Sequence, residues 1–287
     1  MNRSPLSQTL LDRLLTYVAV DTMSDPHIID KRPTTDGQLE LLQMLQHELN
    51  EMGLDDITFD PNGYLIARIP ANAPKGSNMP TIGFMAHVDV ADDVMGNGVK
   101  PRVIDSYDGK DITLNAEYGI LVTDNPELSK YIGETLVVTD GTTLLGGDDK
   151  AGVAILMSLA ERLVKSDSMV HGEVELIFTS DEETGGGMDA FDVSLLRSRC
   201  CYTVDGNKQG EVEAECFNAA TVEVDFMGIP YHLGAARGRM VNSVSMAVSF
   251  IASLPRNESP EATDGRYGYY CAEEIEGTSA HTHLTIY

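Results

Sequence analysis

Four clusters of acidic and imidazole side chains stand where short apolar runs give way to turns or helices. They are His87-Val88-Asp89 after Thr81–Ala86, Gly146 to Gly152 before a helical stretch, Ser180 to Gly185 after Val174–Phe178, and Val204-Asp205-Gly206 after Tyr202. Buried parallel strands read as near-continuous apolar runs, and open α/β sheets gather ligands at the carboxyl ends of such strands. The same pattern therefore constrains fold and chemistry together: an α/β sheet covered by helices.

The helical signals agree. Ser4-Pro5 is an N-cap followed by a first-turn proline, and Leu6, Leu10, Leu14, Leu15 and Val18 recur on one face of a helix ending near Val20. A second helix begins after Thr34-Thr35, carries Leu42, Leu45, Leu49 and Met52 on one stripe, and closes at Gly53. Pro61-Asn62-Gly63 joins Ile57–Phe59 to Tyr64–Arg68 as a hairpin. Thr135–Thr139 reads as a further strand of the sheet, and Gly152 to Lys165 as a helix. The long polar stretch from Asp92 to Gly133 is expected to be functional or to carry small strands of its own.

After about Phe217 the texture changes. Ala219–Phe226 alternates like a strand and a helix is expected around Val241 to Leu254, so a second, smaller α/β unit begins here. The expected division is residues 1–216 and 217–287.

Composition removes some partners. Forty-five acidic residues against twenty basic ones give a formal charge of -25, which repels phosphate backbones and anionic lipid surfaces. Neither nucleic acid nor a membrane is an expected partner. Cys200, Cys201, Cys216 and Cys271 fit neither a disulfide framework nor a zinc-knuckle spacing, so reduced, buried thiols are expected. The N-terminus enters an amphipathic pattern with no apolar signal core, and a cytoplasmic location is the expectation.

Each cluster alone reads as an acidic turn or a helix N-terminus with favourable Asp residues. Four at corresponding strand ends would crowd carboxylates together, and repulsion is costly unless cations neutralise it. One imidazole with several carboxylates and no usable thiolate suits zinc, cobalt or manganese in a hydrolytic site, and the excess of carboxylates points to two ions. In Glu182-Glu183 one side chain can bind metal while its neighbour serves as general base.

The blocks His87-Val88-Asp89, Leu144 to Gly152, Asp181-Glu182-Glu183 and Tyr202 to Gly206 resemble those of the peptidase T family of tripeptide aminopeptidases. That family belongs to the zinc peptidase group that also holds carboxypeptidase G and the aminoacylases. The likeness extends through Glu51 to Leu54, Thr139-Asp140-Gly141, Phe217 to Ala220 and Met240-Val241-Asn242. It implies a zinc-peptidase-like mixed sheet flanked by helices and two zinc ions per subunit, with His87 on the first, Asp148 bridging both, Glu183 on the second and Asp205 completing the first. It also implies Glu182 as general base, Asp89 orienting the His87 imidazole, and a cis peptide between Asp148 and Asp149.

By the same resemblance the smaller unit is a partial lid and dimerisation domain, with a homodimer as its consequence. His232 and Asn242 stand where the family contacts substrate, although Leu233 replaces the usual proline. The family pattern continues to a lid arginine and a second-zinc histidine, which have no counterpart before Tyr287, and a C-terminally incomplete chain is the expectation. His281 and His283 share a strand face and, with His27, His47 and His171, are expected at the surface.

The expected activity is release of the N-terminal residue from short peptides. Its alternatives are an N-acyl amino acid deacylase or carboxypeptidase of the same clan, or a non-catalytic fragment that dimerises.

Overall fold

The computed structural model describes residues 4–74, 76–166, 168–206 and 210–287, which divide into two compact units, Met1–Glu211 and Val212–Tyr287. In the first unit helix α1 (Pro5–Val18) starts at Ser4, whose side chain accepts the Ser7 N–H. Helix α2 (Asp36–Glu51) buries Leu41, Leu42, Leu45 and Leu49, and Gly53 beyond it takes a φ of 89°. Strands β1 (Ile57–Asp60) and β2 (Tyr64–Ile69) form the expected antiparallel hairpin, and β3 (Ile82–His87) follows.

The polar stretch is indeed built of small strands. It holds β4 (Arg102–Ile104), β5 (Ile112–Thr113) and β6 (Gly119–Ile120), and β7 (Leu136–Val138) lies just beyond it. Here one expectation fails. The 136–138 strand is not part of the large sheet; it pairs antiparallel with β4 and packs around Tyr107, Ile112 and Val138 in a core of its own. Its apolar side chains are used by the insertion that precedes it, a destination no local pattern specifies.

Helix α3 (Gly147–Lys165), strand β8 (Val174–Thr179) and strand β9 (Cys201–Thr203) complete the unit. The sheet order is β1-β2-β8-β3-β9, with β8, β3 and β9 parallel, β2 antiparallel to β8, and β1 antiparallel in turn to β2. Register sets His87 opposite Thr179 and Met85 opposite Thr203, so the carboxyl ends of three adjacent strands open on one edge. Beneath that edge, Tyr17 of α1, the α2 leucines, and Val153, Leu156 and Met157 of α3 pack against Leu65, Leu176 and Phe178.

In the second unit β10 (Val222–Met227), α4 (Ser243–Ser253), β11 (Ala272–Gly277) and β12 (His281–Ile286) form an antiparallel sheet of order β10-β12-β11 with α4 packed on it. Leu284, Ile286 and Ala247 are buried there. The cysteines depart from expectation: Cys200 and Cys216 are exposed, Cys201 and Cys271 partly so, and all four are free thiols. Cys201 sits on an edge strand and the others lie outside the packed cores, which is why their apolar character did not bury them. No helix among the described residues is long and apolar enough to cross a membrane.

Candidate active site

His87 ends β3 and is almost completely buried. Its Nε2 lies 3.0 Å from Asp148 Oδ1, 3.6 Å from Asp205 Oδ2 and 3.9 Å from Glu182 Oε2. The turn after β8 thus delivers Glu182, the segment after β9 delivers Asp205, and the start of α3 delivers Asp148. Six expected residues, His87, Asp89, Asp148, Glu182, Glu183 and Asp205, belong to this one neighbourhood.

Asp89 organises it from below. Wholly buried, it places Oδ1 3.3 Å from His87 Nδ1 and accepts the backbone N–H groups of Glu182 at 3.0 Å and Glu183 at 3.1 Å. A carboxylate on the far nitrogen of an imidazole fixes its ring and raises its basicity. These hydrogen bonds, with the His87 charge, outweigh burial and hold Asp89 below the usual carboxylate range.

Asp149 is the residue that sequence reasoning passed over. Buried, it accepts the His87 N–H through Oδ2 at 3.2 Å and the Gly152 N–H through Oδ1 at 3.0 Å, bracing the end of β3 against the first turn of α3. The adjacent pair of aspartates was the only available signal. Asp148-Asp149 is joined by a cis peptide, as the resemblance implied. Gly152 permits the contact: a Cβ there would stand 2.1 Å from Val204 O and 2.3 Å from Asp149 Oδ1.

The electrostatics are those of crowded negative charge. Burial, opposed by His87 and reinforced by Asp205, pushes Asp149 up to about 8. Burial also raises Glu183, with Asp148, Asp89 and Glu182 adding to it, and raises Asp205, with Asp148 adding to it. Burial works to lower His87, but the Asp89 hydrogen bond and charge, aided by Asp149 and Glu182, overturn it and leave the imidazole raised to about 10. The cluster draws in positive charge.

A divalent cation fits this demand. One ligand atom from each of His87, Asp148 and Glu183 lies within 4.8 Å of the others, and the same holds for His87, Asp149 and Asp205. The donors are imidazole nitrogen and carboxylate oxygen, the set preferred by zinc and its neighbours in hydrolytic sites.

The other expected site residues lie in the second unit. His232 is exposed and its Nδ1 accepts the Gly234 N–H at 3.2 Å. Asn242 caps α4, with Oδ1 accepting the N–H groups of Val244 and Ser245. His281 and His283 approach the same oxygen of Asp225, at 2.7 and 3.1 Å, on the partly exposed face of β12. In the first unit His47 pairs with Glu51 one helical turn on, and His171 Nδ1 lies 2.7 Å from Gly172 O.

Residues 215–286 match the family profile of the peptidase dimerisation domain. Over 281 residues the chain is 46% identical to peptidase T of Geobacillus kaustophilus and 44% identical to peptidase T of Bacillus subtilis, covering 97% of this chain and 68% of each relative. Among solved structures it resembles the aminopeptidase PepT of Bacillus cereus with a TM-score of 0.66 and 22% identity, covering 97% of this chain and 65% of that one; at that identity the likeness is one of fold.

A mixed sheet whose parallel strand ends converge on an imidazole and several carboxylates, together with a peptidase dimerisation unit, defines a metal-dependent peptidase. Within that class, the chain belongs to the peptidase T family.

Proposed function

We propose that this protein is a zinc-dependent aminopeptidase that removes the N-terminal residue from tripeptides, with two ions held by His87, Asp148, Glu183 and Asp205. The observation that carries the reading is the convergence of these side chains, with Glu182, on the open edge of the sheet. Bound there, zinc would polarise the scissile carbonyl and lower the pKa of a water. Asp89 holds the imidazole ring in place and, through two backbone N–H groups, holds the turn that carries both glutamates. Glu182, with its side chain about half exposed, is free to accept a proton at its carboxylate and return it to the departing amine.

Residues 1–216 would form the catalytic portion and 217–287 the lid and dimerisation portion, through which two copies would associate as a homodimer. His232 and Asn242 would touch the substrate from that portion, and the protein would act in the cytoplasm. A tripeptide hydrolysis assay run beside N-acyl amino acid and C-terminal release assays, with zinc supplied, tests the reading. Release of the N-terminal residue is the expected result; turnover confined to the acyl substrates, or none at all with zinc bound, would overturn it.

A further inference from the structure

Asp181 immediately precedes Glu182-Glu183, is wholly buried, and has no part in the chemistry above. Its Oδ1 accepts the Thr34 hydroxyl at 2.5 Å and the Gln38 amide Nε2 at 2.8 Å, and the Thr34 N–H stands 3.1 and 3.0 Å from its two oxygens. Gln38 closes the pair, because its Oε1 accepts the Asp181 N–H at 3.0 Å. Arg32 Nε adds a cation 3.9 Å away. These partners lie in the loop before α2 and in its first turn, more than 140 positions away in sequence.

The backbone at Asp181 is in the left-handed region, with φ 57°, a conformation uncommon for a residue with a side chain and tolerated best by Asn and Asp. Its carbonyl accepts the Gly186 N–H at 3.0 Å and the Thr184 hydroxyl at 3.1 Å, while Asp89 takes the next two N–H groups from the other side. The turn that carries the two glutamates is therefore gripped at each of three successive residues. The α2 end of the grip is itself fixed: a Cβ on Gly37 would lie 1.7 Å from Asp21 O, so the first turn of α2 sits hard against the chain.

We propose that Asp181 is a positioning residue which, anchored by Thr34 and Gln38, fixes the left-handed turn that sets Glu183 among the metal donors and leaves Glu182 outside them. The inference rests on the metallopeptidase reading of the cluster. Side chains that hold metal-binding groups in place change metal affinity by roughly 10–100-fold when lost.

Cobalt supplies the test, because its visible absorption reports ligand geometry without requiring turnover. The full chain and its Thr34→Ser, Thr34→Val and Asp181→Gly variants would be loaded with cobalt, and the spectrum, affinity by chelator competition and thermal unfolding compared. Thr34→Val, which loses the hydroxyl donor, should weaken cobalt binding about tenfold and alter the absorption bands, whereas Thr34→Ser should restore both. Asp181→Gly keeps a residue able to adopt the turn but loses the anchor, and should do more damage; if it fails to fold, the Thr34 pair decides.

Variants that unfold at lower temperature yet keep the parent bands and affinity would overturn the proposal, since a merely structural role does that. A parent chain with no cobalt bands would instead overturn the metal reading beneath it.

Discussion

Asp89 Oδ1 lies 3.3 Å from His87 Nδ1 and also accepts the backbone N–H of Glu182, so one buried carboxylate ties the imidazole on β3 to the glutamate turn after β8. Replacing it should disturb both ends at once. Asp89→Asn should weaken zinc binding by about 10–100-fold and lower the unfolding temperature, read by chelator competition and calorimetry. Affinity equal to that of the parent would show that the link is dispensable.

Glu182 and Glu183 are neighbours with separate places: Glu183 belongs to a donor group with His87 and Asp148, and Glu182 stands beside it. Glu182→Gln should cut peptidase turnover by about 10²–10⁴-fold with zinc content unchanged. Glu183→Gln should lose zinc. Metal analysis beside a tripeptide assay separates the two, and exchanged phenotypes would reverse the roles.

Gly152→Ala would place a methyl group 2.1 Å from Val204 O and 2.3 Å from Asp149 Oδ1. Both neighbours position the site, one leading to Asp205 and the other bracing His87. Overpacking of this kind costs about 1–3 kcal/mol, so the urea midpoint should fall, and zinc affinity should fall with it. An unchanged midpoint would mean that β9 and α3 separate easily.

Glu175 in β8 is completely buried and accepts hydrogen bonds from the N–H groups of Arg197 and Ser198 and from Arg68 Nε. Burial pushes its carboxyl up, but these hydrogen bonds prevail and hold it below the ordinary value of 4.5. A depressed folded-state value means the unfolded chain takes up the proton first as pH falls. The stabilisation is complete above that ordinary value and is lost as pH falls through the folded one. Glu175→Gln should lower stability at neutral pH and flatten the acid limb of a urea-unfolding series; an unchanged acid limb would assign acid sensitivity to other groups.

Removing metal should also destabilise the protein. A ligand bound only by the folded state stabilises it by RT ln(1 + [L]/Kd), about 2.7 kcal/mol when the ligand is at 100 times Kd. Here it would additionally compensate the burial that raises Asp149, Glu183 and Asp205 and the neighbouring carboxylate charges that add to it. Chelation should therefore lower the unfolding temperature, and added zinc should restore it. Identical melting curves with and without chelator would argue against a cation in this cluster.

Much of the fold was legible because the signals are local. The Ser4 cap, the α2 leucine stripe and the Pro61-Asn62-Gly63 hairpin each depend on residues within a turn or two of one another. The 136–138 strand was misplaced in the large sheet because an apolar triplet does not say which ladder it joins, and here the preceding insertion supplied the partner. Asp149 was overlooked because its role comes from accepting backbone N–H groups of His87 and Gly152, one of them 62 positions away.

By itself the sequence determined the residue types at the strand ends, the alternation of strands and helices, and hence an imidazole and carboxylates on one sheet edge. Only the tertiary structure decided which carboxylate meets which partner. Asp89 joins His87 to the Glu182-Glu183 turn, Asp149 braces β3 against α3, and Asp181 is locked to Thr34 and Gln38. The physical reason is that a buried carboxylate must find hydrogen-bond donors wherever packing brings them, and chain separation does not limit where that is.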